Sequence, residues 1–405
     1  MYKLYYYMRM VLNKPVDKII YHMSGLFPRN HKLWVFGGQN GSFSCNTKYL
    51  FIEASLRYAE QLDCIWISKN KETIRNVRAM GFRAQTPYSL KGFYYCLRAG
   101  FYFINNHTKE IGFNLSKGSC YINLWHGIPL KKIQADNKKR ISKEKDSVNS
   151  GLIERFFRPK KFFKYNYILS PSRYVTKYSF ETAFNLDEGR FLEYGYPRTD
   201  VLFYSNEEID SFLMNYEPLL FNFVCFLNSK AKVFMYAPTW RDTEDDLLTI
   251  SGIDFKDLNC RLKAINGCFL LKLHPYTKLN LSSLEGLDCI CVVDSDKDIY
   301  PLMKYIDVLI TDYSSIYFDF ILQDKKVVFF AFDFDSYLKG CRDLYFDYNE
   351  VTPGAKVYNY SELVHALFND NNDEFKLERE RVRKKFWGDY SGGAASALIE
   401  RLLYL

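Results

Sequence analysis

Ten short apolar runs constrain this chain more than any other feature, and most are followed by a helix-like pattern. They read "KLWVFGG", "CIWIS", "GFYFINN", "CYINLWHG", "YNYILSPS", "KVFMYAPTW", "CFLLKLHP", "CICVVD", "DVLITDYSS" and "KVVFFAF". Alternation of this kind specifies parallel sheets with helices on both faces. A chain of 405 residues exceeds one ordinary core, which points to two such α/β units. Residues 1–215 are expected to form the first and 230–385 the second. The stretch of about 207–232, with the helix-like "EEIDSFLMNY", joins them. The tail 386–405 is expected to be a helix packing back on the first unit.

In open parallel sheets the ligand lies beyond the C-terminal strand ends. Polar residues at those ends are therefore the site candidates: His126, Ser172, Thr239, His274 and Asp312. His126 precedes Gly127, which permits close backbone approach, and Pro129, which stops a strand. A histidine there can take a proton from an incoming hydroxyl. His274 has the same setting, followed by Pro275, with Lys272 two residues earlier. Asp312, Ser314 and Ser315 in "LITDYSSIYFDF" can cap a helix, whose first N–H groups would hold a phosphate. Thr239 and Arg241 in "YAPTWRD" follow a strand, and a guanidinium suits phosphate oxygens. The alternative for Arg241 is an ion pair with Asp242 or Asp245. The "FDFD" at 332–335 reads as a strand-to-loop exit. Neither G-x-G-x-x-G nor a P-loop occurs, so a nucleotide is expected in a cleft between the units.

Charge is uneven. Between Lys131 and Lys164 twelve Lys/Arg face four acids, a local balance of +8 that equals the net charge of the chain. Its end, "IERFFRPKKFFKYN", alternates aromatic pairs with cations, as a segment pressed on anionic headgroups would. A solvated basic loop is the alternative. No nucleic-acid signature accompanies the charge, so nucleic acid is not an expected partner. No stretch reaches the roughly 18 uncharged apolar residues of a spanning helix. The start of the chain lacks a signal-peptide pattern. The ten cysteines form no C-x-x-C pair and no zinc spacing, consistent with reduced thiols in a cytosolic setting.

"WHGIPLKKI", "GYPRTDVL", "YAPTWRD", "LKLHP", "ITDYSSIYFDF" and "YFDYNEVTPGAK" occur in that order, after an early "FGGQNGSFSCNTKYLFIEA". Together they resemble the CDP-glycerol glycerophosphotransferase family of teichoic acid primases, polymerases and related capsule enzymes. The resemblance covers residues 33–395. It implies a GT-B-like fold of two Rossmann-type domains facing across a cleft. It also implies transfer of glycerol phosphate, or another polyol phosphate, from a CDP-polyol to a hydroxyl of a lipid-linked glycan, with release of CMP. The enzyme would lie peripherally on the cytoplasmic face of the cell membrane. By motif, His126 would be the base, and His274 would stabilise the diphosphate or the leaving CMP. Thr239, Arg241, Pro275, Asp312, Ser314, Ser315, Asp347 and Gly354 would serve the donor. Asn40, Gly127, Lys131, Lys132 and Arg198 would serve the acceptor. No metal or other cofactor is expected to be essential. Ile128 and Gln134 stand where the family has Thr and often Gly, and "SGGAAS" stands where an acid before Gly is common. These departures leave polyol and acceptor open. A nucleotide-sugar glycosyltransferase or epimerase of the same fold is the alternative reading.

Overall fold

The computed structural model describes residues 16–137, 156, 159–241, 247–274, 277, 284–294, 297–334, 343–369 and 373–405. They divide into two units. Unit 1 takes its described residues from the ranges 16–126, 156–200 and 392–405; unit 2 takes 127–137 and 201–391.

Unit 1 is built on a parallel sheet of β1 (Asn30–Phe36), β2 (Asp63–Ile67), β3 (Ala84–Gln85), β4 (Ala99–Ile104), β5 (Cys120–Asn123), β6 (Tyr167–Ser170) and β7 (Phe191–Glu193). Their order is β3-β2-β1-β4-β5-β6-β7. Unit 2 repeats the plan with β8 (Lys232–Tyr236), β9 (Gly267–Leu271), β10 (Ile290–Val292), β11 (Val308–Thr311), β12 (Lys326–Phe330) and β13 (Ala355–Val357). Their order is β10-β9-β8-β11-β12-β13. Both are doubly wound orders, which reverse direction beside the first strand of each sheet. In sheets of this kind a ligand crevice forms at that point, which here is the ends of β1 and β4 and the ends of β8 and β11.

The apolar runs are continuous because these strands are buried on both faces. β4 is buried at all six positions and β9 at all five. Much of the aromatic excess fills the cores. In unit 1, Phe36 stacks on Phe103 at 4.6 Å, and Trp34 and Trp66 are fully buried. Helix α1 (Cys45–Arg57) covers this sheet, with Leu50 and Phe51 at 0% exposure. In unit 2, the short α2 (Ile316–Phe320) follows β11. Helix α3 (Lys376–Trp387) is fastened to it, Trp387 Nε1 donating to the Phe318 carbonyl at 2.7 Å.

Three boundaries differ from the sequence reading. The expected helix is present as Asn206–Tyr216, opened by a Ser205/Glu208 capping box, but it belongs wholly to unit 2. The first boundary therefore falls at 200/201 rather than at 215. Residues 127–137, assigned to the first domain by continuity, join unit 2 because they pair with its 343–345 strip. Lys131 bridges Leu344 in antiparallel fashion, and the Tyr345 N–H donates to the Leu130 carbonyl at 2.9 Å. Of the tail, 386–391 stays with unit 2, while helix α4 (Ala394–Leu403) packs in unit 1. There both Asp200 carboxylate oxygens accept from the first N–H groups of α4, Ala394 at 2.8 Å and Ala395 at 2.9 Å.

Candidate active site

In unit 1 the chain leaves β5 through Leu124, Trp125 and His126. Trp125 has φ +52°, a left-handed conformation that a bulky side chain avoids. Such a residue persists only where its surroundings hold it, and such strain gathers at functional sites. Here the holding group is Asn46, at 0% exposure in the first turn of α1. Its Nδ2 donates to the carbonyls of Leu124 at 3.1 Å and Trp125 at 3.0 Å. Its Oδ1 accepts from the Arg198 N–H at 3.2 Å. Two carbonyls need donors and one N–H needs an acceptor, so only one amide orientation satisfies all three. The Trp125 N–H is satisfied by Asn123 Oδ1 at 2.9 Å.

His126 Nδ1 lies 3.3 Å from the Asn105 carbonyl. A carbonyl only accepts, so Nδ1 carries the proton and Nε2 keeps its lone pair. Protein surrounding the ring pushes its pKa down to about 4, with the nearby Arg198 and His107 adding to the drop and the Asn105 carbonyl opposing it. The residue is nevertheless exposed to solvent, and hydration tempers the drop. The ring is thus neutral near pH 7, with its free nitrogen a proton acceptor. Asn105, just past β4, is itself fixed: its amide donates to Thr47 Oγ1 at 2.7 Å and accepts from the Thr47 N–H at 3.1 Å. Glu110 accepts from the N–H groups of Asn105 and His107 at 2.8 and 2.9 Å. Burial nevertheless raises its pKa to about 7.

The other acceptor-side candidates are dispersed. Arg198 is buried, with Nη1 3.3 Å from Cys45 Sγ, and shares Asn46 with the histidine loop. Asn40 is exposed on the turn after β1, at φ +54°. Gly127, at φ +140°, and Lys131 and Lys132 lie on the segment that joins unit 2, where Lys132 Nζ sits 3.7 Å from Asp343. Ser172 caps a helical turn through the Val175 N–H.

In unit 2 the ends of β8, β11 and β12 are tied by one ionic network. Arg241 donates through Nε and Nη2 to both oxygens of Asp333, at 2.8 and 3.0 Å. Its Nη1 meets Asp312 Oδ2 at 2.7 Å and donates to the Thr239 carbonyl. Burial works against the guanidinium charge, but Asp312 and Asp333 outweigh it and hold the group protonated. Asp312, at 0% exposure, also accepts from the N–H groups of Thr239 at 2.8 Å and Tyr313 at 2.5 Å. Tyr313 donates its hydroxyl to Asp333 at 3.1 Å. Arg241 therefore spends its N–H donors inside the protein. It shapes the 237–241 loop, and the carboxylates that claim it are Asp312 and Asp333; Asp242 and Asp245 lie outside the described residues.

Asp312 accordingly does not cap α2, and Ser315, in the N-cap position, makes no capping hydrogen bond. The hydroxyls of Ser314 and Ser315 are half-buried and, among the described residues, have no hydrogen-bond partner; neither has the buried Thr239 Oγ1. These three hydroxyls stand at the switch point of the sheet. His274 is exposed three residues past β9, its ring 5.9 Å from that of Trp240, and partial burial lowers its pKa. Lys272 donates to the carbonyls of Asp294 and Lys297, at 2.5 and 2.9 Å. Pro275 lies outside the described residues. Asp347 caps a helical turn by accepting from the Asn349 and Glu350 N–H groups. Gly354 is required by packing, since a Cβ there would meet the Val327 carbonyl oxygen at 2.1 Å. Among the described residues no three His, Cys, Asp or Glu side chains converge as a metal centre requires.

The model of the family described as CDP-glycerol:poly(glycerophosphate) glycerophosphotransferase matches residues 19–404. The chain belongs to that family. A teichoic acid poly(glycerol phosphate) polymerase of Bacillus spizizenii is 28% identical over 400 residues, spanning 96% of each chain. A teichoic acid glycerol-phosphate transferase of Staphylococcus aureus is 29% identical over 402 residues, spanning 96% of this chain and 98% of that one. Among solved structures, a histidine variant of the wall teichoic acid polymerase TagF soaked with CDPG gives a TM-score of 0.72 at 27% identity, covering 99% of this chain and 96% of that one. This glycerophosphotransferase is thus an enzyme of the teichoic acid biosynthetic type with a GT-B-like α/β fold. Asn46, Asn105, Glu110, Tyr313 and Asp333 are the members of its candidate site that strand-end reasoning passed over. Asn105 is the first of the two asparagines that close "GFYFINN", and Asp333 is the first acid of "FDFD", so both carried a signal.

Proposed function

We propose that this glycerophosphotransferase moves glycerol phosphate from CDP-glycerol to a hydroxyl of a lipid-linked glycan or a growing teichoic-acid- or capsule-like polymer, at an anionic membrane surface. The observation that carries the reading is the His126–Asn105 hydrogen bond, which leaves Nε2 as acceptor on a strained, rigidly held loop. In the proposed step the acceptor hydroxyl gives its proton to His126 Nε2. Its oxygen attacks the phosphorus that bears glycerol, the bond from that phosphorus to the bridging oxygen breaks, and CMP leaves with that oxygen and the electron pair. His274 stabilises the diphosphate or departing CMP. Thr239, Ser314 and Ser315 hold donor phosphate oxygens, while Asp312 and Arg241 keep their loops in place. Arg198 acts beside His126 on the acceptor. Phosphoryl transfer asks a protein mainly for positioning and charge stabilisation, so no metal is required in this scheme.

Among the described residues no helix is long and apolar enough to cross a membrane. Contact with the bilayer is therefore assigned to the surface of the enzyme, with the basic 131–164 stretch as one contributor; most of that stretch, 138–155 and 157–158, lies outside the described residues. The test is CMP release from CDP-glycerol with a lipid-linked glycan as acceptor. His126→Ala should lower the rate about 10²- to 10⁴-fold, the range for loss of a general base, with donor binding kept. A variant with the wild-type rate removes His126 from the mechanism. CDP-ribitol run in parallel reports the polyol, and product mass reports the number of units added.

A further inference from the structure

A cavity lined by residues of unit 1 is used by none of the steps above. It encloses about 1030 Å³ and is walled by Tyr21, Phe93, Ile111, Phe113 and Leu115. Lys69, Lys109 and Lys160 line it as well, and Asp17 is the one acid among its described lining residues. The lysines are grouped: Lys69 Nζ donates to the Lys109 carbonyl at 3.2 Å, and the Lys160 ammonium sits 5.4 Å from the centre of the Phe113 ring. Asp17 is engaged by the Asn114 amide at 3.1 Å. Burial pushes the Lys160 pKa down; Asp17 resists this, while Lys109 and Lys69 add to it. Gathering like charges on an apolar wall is costly, and a bound anion removes the cost.

The rim supplies the second half of the argument. Tyr88 and Phe93, both lining residues, are 79% and 44% exposed. Cations inside an apolar-walled cavity, with exposed aromatic side chains in its lining, match a molecule that has an anionic head and a hydrocarbon body. A free anion would not use the rim, and a nucleic acid would not use the apolar wall.

We propose that this cavity binds a phosphate or diphosphate carried on a hydrocarbon chain, with Lys69, Lys109 and Lys160 on the anion and Tyr21, Tyr88 and Phe113 against the chain. Resting on the reading that the acceptor is lipid-linked, it assigns the lipid-phosphate end of the acceptor, or a membrane lipid headgroup, to a place distinct from His126. The probe is dodecyl phosphate below its micelle concentration, titrated into the full chain, with inorganic phosphate, pyrophosphate and dodecyl maltoside as the half-ligands. Dodecyl phosphate should bind at least about tenfold more tightly than any of these, and Lys69→Gln/Lys109→Gln should lose about tenfold or more, as expected for charge-assisted contacts. Lys109→Arg should retain binding, and an unchanged melting temperature and CDP-glycerol affinity identify folded variants. Equal affinity of the double variant, or phosphate binding as tight as that of dodecyl phosphate, overturns the proposal. Displacement of dodecyl phosphate by phosphatidylglycerol vesicles but not by phosphatidylcholine vesicles assigns the site to a membrane headgroup; lysine-dependent binding without displacement assigns it to a separate lipid substrate. Absence of CMP release together with lysine-dependent binding would overturn the catalytic reading alone.

Discussion

Replacing Asn46 tests whether the histidine loop is held from α1. Asn46→Ala removes three hydrogen bonds, to the Leu124 and Trp125 carbonyls and from the Arg198 N–H. Each contributes about 1 kcal/mol net, and a buried partner left without one costs about 1–3 kcal/mol. With water reaching part of the vacated space, the expected loss is about 3 kcal/mol, read as a lower urea midpoint. Trp125 is then no longer compelled to keep φ +52°, so the loop can relax and carry His126 with it. A displacement of about 1 Å in a reacting group costs on the order of 10²-fold in rate. Steady-state CMP release should therefore fall about that much, while CDP-glycerol affinity, which the proposed scheme assigns to the hydroxyls of unit 2, is unchanged. Asn46→Asp should do worse than alanine, because it points a carboxylate oxygen at two carbonyls. If Asn46→Ala loses the expected stability yet keeps the wild-type rate, the loop does not depend on this clamp and the reasoning fails. If donor affinity falls as much as the rate, Asn46 acts on the whole protein rather than on the loop.

Three further outcomes are expected. The folded protein holds His126 neutral, so this group supports stability above the ordinary histidine pKa of about 6.5 and that support is lost as pH falls toward 4; correspondingly, the acid limb of kcat/KM should lie below pH 6.5, and a limb at pH 7 or above contradicts the assignment. Arg241→Ala strands Asp312 in the core of unit 2 without its partner and should cost about 3–5 kcal/mol in unfolding experiments; Arg241→Lys should restore little, since it cannot reproduce the paired contact with Asp333. Prolonged EDTA treatment should leave CMP release unchanged, and a rate lost on chelation and restored by Mg²⁺ would place a metal in the mechanism.

All ten apolar runs became strands, because a strand buried on both faces writes itself as an unbroken apolar word. β3, β7 and β13 were not legible. Each is an edge strand of two or three residues, with one neighbour and too little buried length to leave a pattern. His126 and Asp312 were legible because strand ends in such sheets are where chemistry collects. Asn46 was not: a polar residue in the first turn of a helix looks like any solvated one, and its partners lie 78 to 152 residues away. Arg241 shows the converse. Its place just past β8 could be read, but only the fold reveals Asp312 and, 92 residues on, Asp333 as the groups that occupy it. The passage of 127–137 into unit 2 was masked by charge, since the lysines after His126 read as one piece with the basic stretch that follows.

The hydrogen bonds from Ala394 and Ala395 to Asp200 join two points that ribosomal synthesis separates in time. Everything from residue 201 to 391 belongs to unit 2, so that unit can close while the last helix is still being made. Unit 1, begun first, is finished last. Until α4 arrives, the 45–57 helix against which it packs presents an uncovered flank to the cell. Nascent chains arrested shortly before residue 394 should therefore be the ones that chaperones hold and proteases find.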